Sequence, residues 1–177
     1  GKGMPAALLM AVSLASFQDV IGQDLRPSEL LARLDQAIAP YTKTTLQNCA
    51  LVYLEVTPPN REHQGRLRMV NAGCIVPLIR RVNGAVEWVD VNGLPLGTGW
   101  GTKFGYQEVT REVHRGDLII LTSDGVVEAK NPRVEIFGFE RLEQAVRSGP
   151  QTGARDMLAH LRTNVATFME HAEPHDD

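Results

Sequence analysis

The sequence has 177 residues, with 43% apolar and 22% charged side chains and a formal net charge of −3. These values are typical of one globular domain with a substantial core. They exclude the excess of Lys and Arg that a nucleic-acid-binding surface needs.

Cysteine content and hydropathy predict where the protein works. Two cysteines, Cys49 and Cys74, cannot form the disulfide framework of small secreted domains, so we expect a cytoplasmic protein. We see no signal peptide and no apolar run that approaches the length of a membrane span, and therefore expect no direct membrane insertion. The chain opens on Gly1 and ends on Asp177 abruptly, and we interpret it as a piece of a longer protein, truncated at both ends.

Two helices are predicted near the N-terminus. The first begins near Pro5, and its almost uniformly apolar composition predicts a helix that is covered on most sides. Its core face is predicted from residues at helical spacing: Leu8, Ala11, Val12 and Ala15. The second helix has Ser28 as its predicted N-cap. Its predicted apolar stripe is Leu30, Leu31, Leu34, Ala37 and Ile38.

The middle of the chain is predicted to be strands joined by tight turns. Alternating residues in 50–56 predict a strand whose core face carries Ala50, Val52, Leu54 and Val56. Further strands are predicted over 67–70, 76–82, 85–91, 106–113 and 118–122. Asn83-Gly84 predicts a hairpin, and 92–101 a glycine-rich loop. Helices are predicted again from residue 142 and over 157–169, so the pattern indicates an α+β fold with antiparallel sheet.

One carboxylate stands at the end of a predicted buried strand. The segment reads Leu118-Ile-Ile-Leu-Thr-Ser-Asp-Gly125, which places Asp124 at the end of the strand. A carboxylate held there suits Mg²⁺ or Mn²⁺, which prefer oxygen ligands. The alternative is an ordinary Asp-Gly turn.

Three other motifs have simpler alternatives. Asp176-Asp177 is usually solvated charge near a chain end, and Pro174 between His171 and His175 argues against a helical zinc site. Gly1-Lys2-Gly3 lacks the Ser or Thr that follows the Gly-Lys pair of a nucleotide-binding loop.

Cys74 and Arg80 have the Cys-x5-Arg spacing of cysteine phosphatases. The intervening residues are apolar and include Pro77, whereas that chemistry needs a polar loop of phosphate-binding N–H groups. A cysteine mechanism is therefore disfavoured.

Taken in order, these motifs resemble the SpoIIE/RsbU-type serine/threonine phosphatases of the protein phosphatase 2C (PPM) superfamily. Gly1-Lys-Gly-Met-Pro-Ala-Ala-Leu-Leu-Met10 is similar to the segment after the family's first metal-binding aspartate. Cys74 stands where the family commonly has histidine. Three further segments match: Val70-Asn-Ala-Gly-Cys74, Gly93-Leu-Pro-Leu-Gly97 and Gly116-Asp-Leu-Ile-Ile-Leu-Thr-Ser-Asp-Gly-Val-Val-Glu-Ala129. Phe137-Gly138 and Asp176-Asp177 complete the series.

The resemblance implies a single PPM-type domain over 1–177, an α-β-β-α four-layer sandwich of two antiparallel β-sheets flanked by helices. It implies Asp124 and Asp176 as catalytic metal ligands for two Mn²⁺ or Mg²⁺ ions, with a metal-activated water attacking phosphoserine or phosphothreonine.

The implied substrate is a phosphorylated regulatory protein of the anti-sigma-factor-antagonist type, in a bacterial signalling system. An N-terminal sensor domain and a homodimer are further expectations. The alternative function is a non-catalytic signalling module of the same fold that binds a regulatory partner.

Overall fold

A computed structural model of the protein describes residues 3–45, 47–60 and 63–170. The helices are α1 Gly3–Ile21, α2 Pro27–Thr45, α3 Gly101–Phe104, α4 Asp124–Val127, α5 Gly138–Ser148 and α6 Ala154–Met169. The strands are β1 Leu51–Thr57, β2 Gly65–Ala72, β3 Leu78–Arg80, β4 Val86–Trp88, β5 Glu108–Val113 and β6 Leu118–Ile120. The chain divides into two compact units.

The first unit comprises Gly1–Cys74 and Asp90–Val113. Its sheet has the strand order β1-β2-β5, and both pairs are antiparallel. Helix α2 lies against β2 and α1 against α2. The buried core of the unit is formed by Leu9, Val20, Leu30, Leu31, Leu34, Ile38, Val70, Ala72, Leu96 and Tyr106.

The second unit comprises Ile75–Val89 and His114–Asp177. Its antiparallel sheet has the order β4-β3-β6, and α4, α5 and α6 complete the unit. The predicted Asn83-Gly84 hairpin joins β3 to β4, and Gly84 has the positive φ of 86° that such a turn requires. The core is formed by Leu78, Ile120, Val127, Ala129, Phe137, Leu142, Ala145, Val146, Met157 and Leu161.

Helix α1 differs from its prediction. It is not covered on most sides, because its buried residues are Leu9 and Val20, whereas Leu8 is 60% and Leu14 57% exposed. The predicted core face is therefore wrong. An almost uniformly apolar helix has no polar face to fix its orientation, so packing against α2 decides which side is buried.

The expectation about membrane spans also needs correction. Helix α1 has 19 residues and a mean hydropathy of 1.5, which by length and composition is enough to cross a bilayer. Core helices and signal sequences meet the same two criteria. The prediction that no apolar run approaches the length of a membrane span is therefore wrong.

Other predictions are corrected at the level of single residues. Ser28 is inside α2 and is not its N-cap, since the helix begins at Pro27. In β1, Leu51 and Tyr53 pack against the core of their unit, and Val56, predicted to be in the core, is 53% exposed. The α+β class, with antiparallel sheets and helices beside them, is confirmed.

Candidate active site

Asp124 lies at a connection between a strand and a helix. Strand β6 ends at Ile120, earlier than predicted, and Asp124 is the first residue of α4. The preceding Ser123 is the N-cap residue of α4 and has the extended backbone usual there, with φ −86° and ψ 166°. Asp124 is exposed, and its Oδ1 accepts the N–H of Gly125 at 3.0 Å.

The described residues do not complete a metal site around Asp124. Among residues 3–45, 47–60 and 63–170, no group of three or more His, Cys, Asp and Glu side chains could hold a metal ion. Asp124 fits such a site as one exposed oxygen ligand. The other predicted ligand, Asp176, lies outside the described residues, as do His171, His175, Gly1 and Lys2.

Strand β6 borders a groove that is mainly apolar. Its volume is about 570 Å³, and α6 forms the opposite wall. Among the described residues that line the groove, Arg162 is the only charged one. A phosphate group needs several cations or N–H donors, and the part of the lining that the structure describes does not supply them.

Asn71 organises the turn that ends at Cys74. Its amide is 1% exposed, donates to the carbonyls of Cys74 at 2.8 Å and Val91 at 3.0 Å, and accepts the N–H of Cys74 at 2.9 Å. Gly73 in this turn has a φ of 81°, which favours glycine. The resemblance noted in 70–74 therefore coincides with a structural role for Asn71.

Arg80 has a structural role that competes with phosphate binding. The residue is 5% exposed, and its guanidinium donates to the carbonyls of Gly149 at 2.8 Å and Pro150 at 3.1 Å. These carbonyls follow the C-terminus of α5, where cationic side chains are favourable. This arrangement agrees with the view that the Cys-x5-Arg spacing is accidental.

Sequence reasoning missed Asp35, which organises the glycine-rich loop. Its fully buried carboxylate accepts the N–H groups of Gly97 at 2.7 Å and Gly99 at 3.2 Å on Oδ1. On Oδ2 it accepts the N–H of Thr102 at 3.1 Å and its hydroxyl at 3.3 Å. The available signal was an acidic residue four positions after Leu31 in the apolar stripe of α2, since a buried charge there needs donors.

The family model of stage II sporulation protein E (SpoIIE) matches residues 1–177. The chain belongs to the SpoIIE family. No curated protein matches this SpoIIE-family chain in sequence at a significant level.

Solved structures similar to this SpoIIE-family chain show the same fold. Each of three matches covers 100% of the chain. The PP2C domain of SiaA from Pseudomonas aeruginosa aligns with a TM-score of 0.75, 18% identity and 68% of its own length covered. The RsbU and RsbW domains of Rv1364c from Mycobacterium tuberculosis align with a TM-score of 0.69 and 17% identity, and 47% of that chain is covered. The phosphatase domain of SpoIIE from Bacillus subtilis, presoaked with manganese, aligns with a TM-score of 0.55 and 14% identity, and 71% of that chain is covered.

These comparisons confirm the resemblance and the fold class. The chain belongs to the SpoIIE family and has a PP2C-like fold, with two antiparallel three-stranded sheets and flanking helices. The roles of Asp124 and Asp176 remain predictions.

Proposed function

We propose that this SpoIIE-family domain is a Mn²⁺- or Mg²⁺-dependent protein phosphatase that acts on phosphoserine or phosphothreonine in a regulatory protein. The proposed substrate is of the anti-sigma-factor-antagonist type, in the bacterial cytoplasm. Family membership and the PP2C-like fold support hydrolysis of phosphate esters. A sensor domain N-terminal to this one and a homodimer are part of the proposal.

The observation that carries the proposal is the placement of Asp124. Asp124 is exposed at the connection between β6 and α4, and its Oδ1 accepts the N–H of Gly125. We propose that Asp124 and Asp176 together supply oxygen ligands to the divalent ions. Bound there, such ions would supply charge neutralisation and an activated water.

The deciding experiment measures phosphate release by the full-length protein from p-nitrophenyl phosphate and from a phosphoserine peptide. We expect release that requires Mn²⁺ and stops with EDTA. Asp124→Asn should reduce kcat by at least about a hundredfold, beyond the roughly 10–100-fold typical of groups that only orient a metal ligand. Asp24→Asn, the same change at another exposed aspartate, should keep the wild-type rate.

A second function, the non-catalytic signalling module, has one observation in its favour. Within the described residues, Asp124 has no neighbouring cluster of metal-binding side chains. Titration of the protein with Mn²⁺, monitored by isothermal titration calorimetry, distinguishes the two functions. Mn²⁺ binding that is lost in Asp124→Asn supports the enzyme. If the wild type neither binds Mn²⁺ nor releases phosphate, the non-catalytic signalling module is the correct function. Equal rates of phosphate release by the wild type and Asp124→Asn would remove Asp124 from the mechanism.

A further inference from the structure

Two large aromatic side chains are exposed next to each other in the first unit. Trp100 is 51% and Phe104 66% exposed, and their rings stack with centroids 5.5 Å apart and planes 2° from parallel. The ammonium group of Lys103 lies 5.3 Å from the Trp100 ring centroid and 5.5 Å from that of Phe104. Large aromatic side chains are enriched at protein interfaces, and Trp is prominent among the residues that dominate binding energy.

The backbone that carries these rings is held in place by hydrogen bonds to the carboxylate of Asp35. Asp35 binds the N–H groups of Gly97, Gly99 and Thr102, so the loop is anchored to helix α2 at three points. The N–H of Phe104 donates to the carbonyl of Trp100 at 2.9 Å. The rings are therefore presented in one arrangement before a partner arrives, which lowers the entropy lost on binding.

Close packing beneath α3 adds to this rigidity. Gly101 lies directly on the ring of Tyr106, and a Cβ at this position would come within 2.2 Å of the tyrosine oxygen. Only glycine allows α3 to approach so closely. The position of Trp100 and Phe104 at the surface is thus fixed by the packing of α3 on Tyr106.

The charge of the glycine-rich loop indicates the chemistry of a partner that could bind it. Residues 91–107 contain one charged side chain, Lys103, so the segment has a net charge of +1. The carboxylate of Asp35 is fully buried and does not present its charge to solvent. Leu94 in the same loop is 46% exposed. A complementary surface would offer apolar side chains to the rings and an anionic group to Lys103.

We propose that Trp100, Lys103 and Phe104 form a docking surface for an acidic, apolar segment of the phosphoprotein substrate. The surface sets affinity for that segment and leaves hydrolysis of small phosphate esters unaffected. The identity of the partner as a substrate rests on the proposed function; the binding chemistry rests on the loop alone.

Binding is tested with two fluorescein-labelled phosphoserine peptides of equal length and the full-length protein. One peptide has Glu, Leu and Phe around the phosphoserine, and the other has Lys and Ser at those positions. Fluorescence anisotropy should show tighter binding of the acidic, apolar peptide. Trp100→Ala, Phe104→Ala and Lys103→Glu should each weaken it by about tenfold or more.

The control variant is Leu158→Ala, which also truncates an exposed apolar side chain, 59% exposed, but on α6. It should bind both peptides like the wild type, and circular dichroism should show all four variants folded. Equal binding of the two peptides by the wild type, or unchanged binding in all three loop variants, would overturn the proposal. So would a wild-type dimer that the loop substitutions dissociate, since a second copy would then cover the rings.

Catalysis gives a separate readout. If the wild type hydrolyses p-nitrophenyl phosphate, the loop variants should keep that rate and raise KM only for the acidic, apolar peptide. If it hydrolyses nothing, the proposed function fails while the anisotropy measurement still decides the docking surface.

Discussion

The carboxylate of Asp35 in helix α2 accepts the backbone N–H of Gly97 at 2.7 Å, although the two residues are 62 positions apart in sequence. Gly97 has a φ of 88°, and a Cβ there would lie 2.3 Å from the Thr42 side chain. The bond therefore closes a loop whose glycine cannot be replaced without strain. It connects helix α2 to the loop that carries the exposed aromatic pair.

Removal of the Asp35 carboxylate should be strongly destabilising. Asp35→Ala leaves three N–H groups and one hydroxyl without their acceptor, and the N–H of Gly97 among them is buried, so we expect the free energy of unfolding to fall by about 3 kcal/mol. Asp35→Asn keeps one acceptor oxygen and should lose less, about 1 kcal/mol. Urea unfolding measures both. Asp24→Ala, at an exposed site, is the control, and an unchanged midpoint for Asp35→Ala would refute the anchoring role.

Tyr106 makes stability depend on alkaline pH. Burial, and then the negative charge of Asp35, raise the pKa of its hydroxyl. The unfolded chain therefore releases this proton near pH 10 while the folded protein retains it, so stability should fall as pH rises above about 10. Tyr106→Phe should flatten that decline.

At neutral pH, Tyr106→Phe should not lower the free energy of unfolding. The Tyr106 oxygen is buried with no hydrogen-bond partner among the described residues, so its removal should leave stability unchanged or raise it by up to about 1 kcal/mol. Thermal unfolding at pH 7 and pH 10.5 compares the proteins.

Asp117 should make stability depend on acid pH. Burial alone would raise its pKa, but the N–H of His114, the Arg81 guanidinium and the N–H of Val82 together lower it. A lowered carboxyl pKa contributes stability that is present above the unfolded pKa near 3.9 and is lost as pH falls below it.

Asp117→Asn tests this contribution. At pH 7 we expect a loss of about 2 kcal/mol, because a neutral amide replaces the carboxylate that Arg81 binds at 2.9 Å. Between pH 5 and pH 2 the variant should lose less stability than the wild type. Parallel pH curves for the two proteins would be the contrary result, and Asp24→Asn again provides the matched control.

Cys74 should be dispensable for catalysis. The Arg80 guanidinium is 5% exposed and donates to the carbonyls of Gly149 and Pro150, so it already has a structural role within the second unit. Cys74→Ser should therefore keep the Mn²⁺-dependent rate within about twofold, whereas a cysteine phosphatase would lose activity entirely. Activity that survives EDTA and disappears in Cys74→Ser would establish the cysteine mechanism instead.

Local sequence determined the type of most secondary structure and the family. The spacing of apolar residues predicted α2, α5 and α6, Asn83-Gly84 predicted a hairpin that is present, and the order of motifs identified the SpoIIE relationship. These features depend on residues that are near each other in the chain, where periodicity and turn chemistry act directly.

Tertiary structure alone decided which faces are buried and which polar groups meet. The buried side of α1, the inward position of Tyr53 and the bonds from Asp35 to the loop all depend on chain segments far away in sequence. A pattern of apolar residues gives the period of an element but not its neighbour, and a buried carboxylate requires donors without specifying their position.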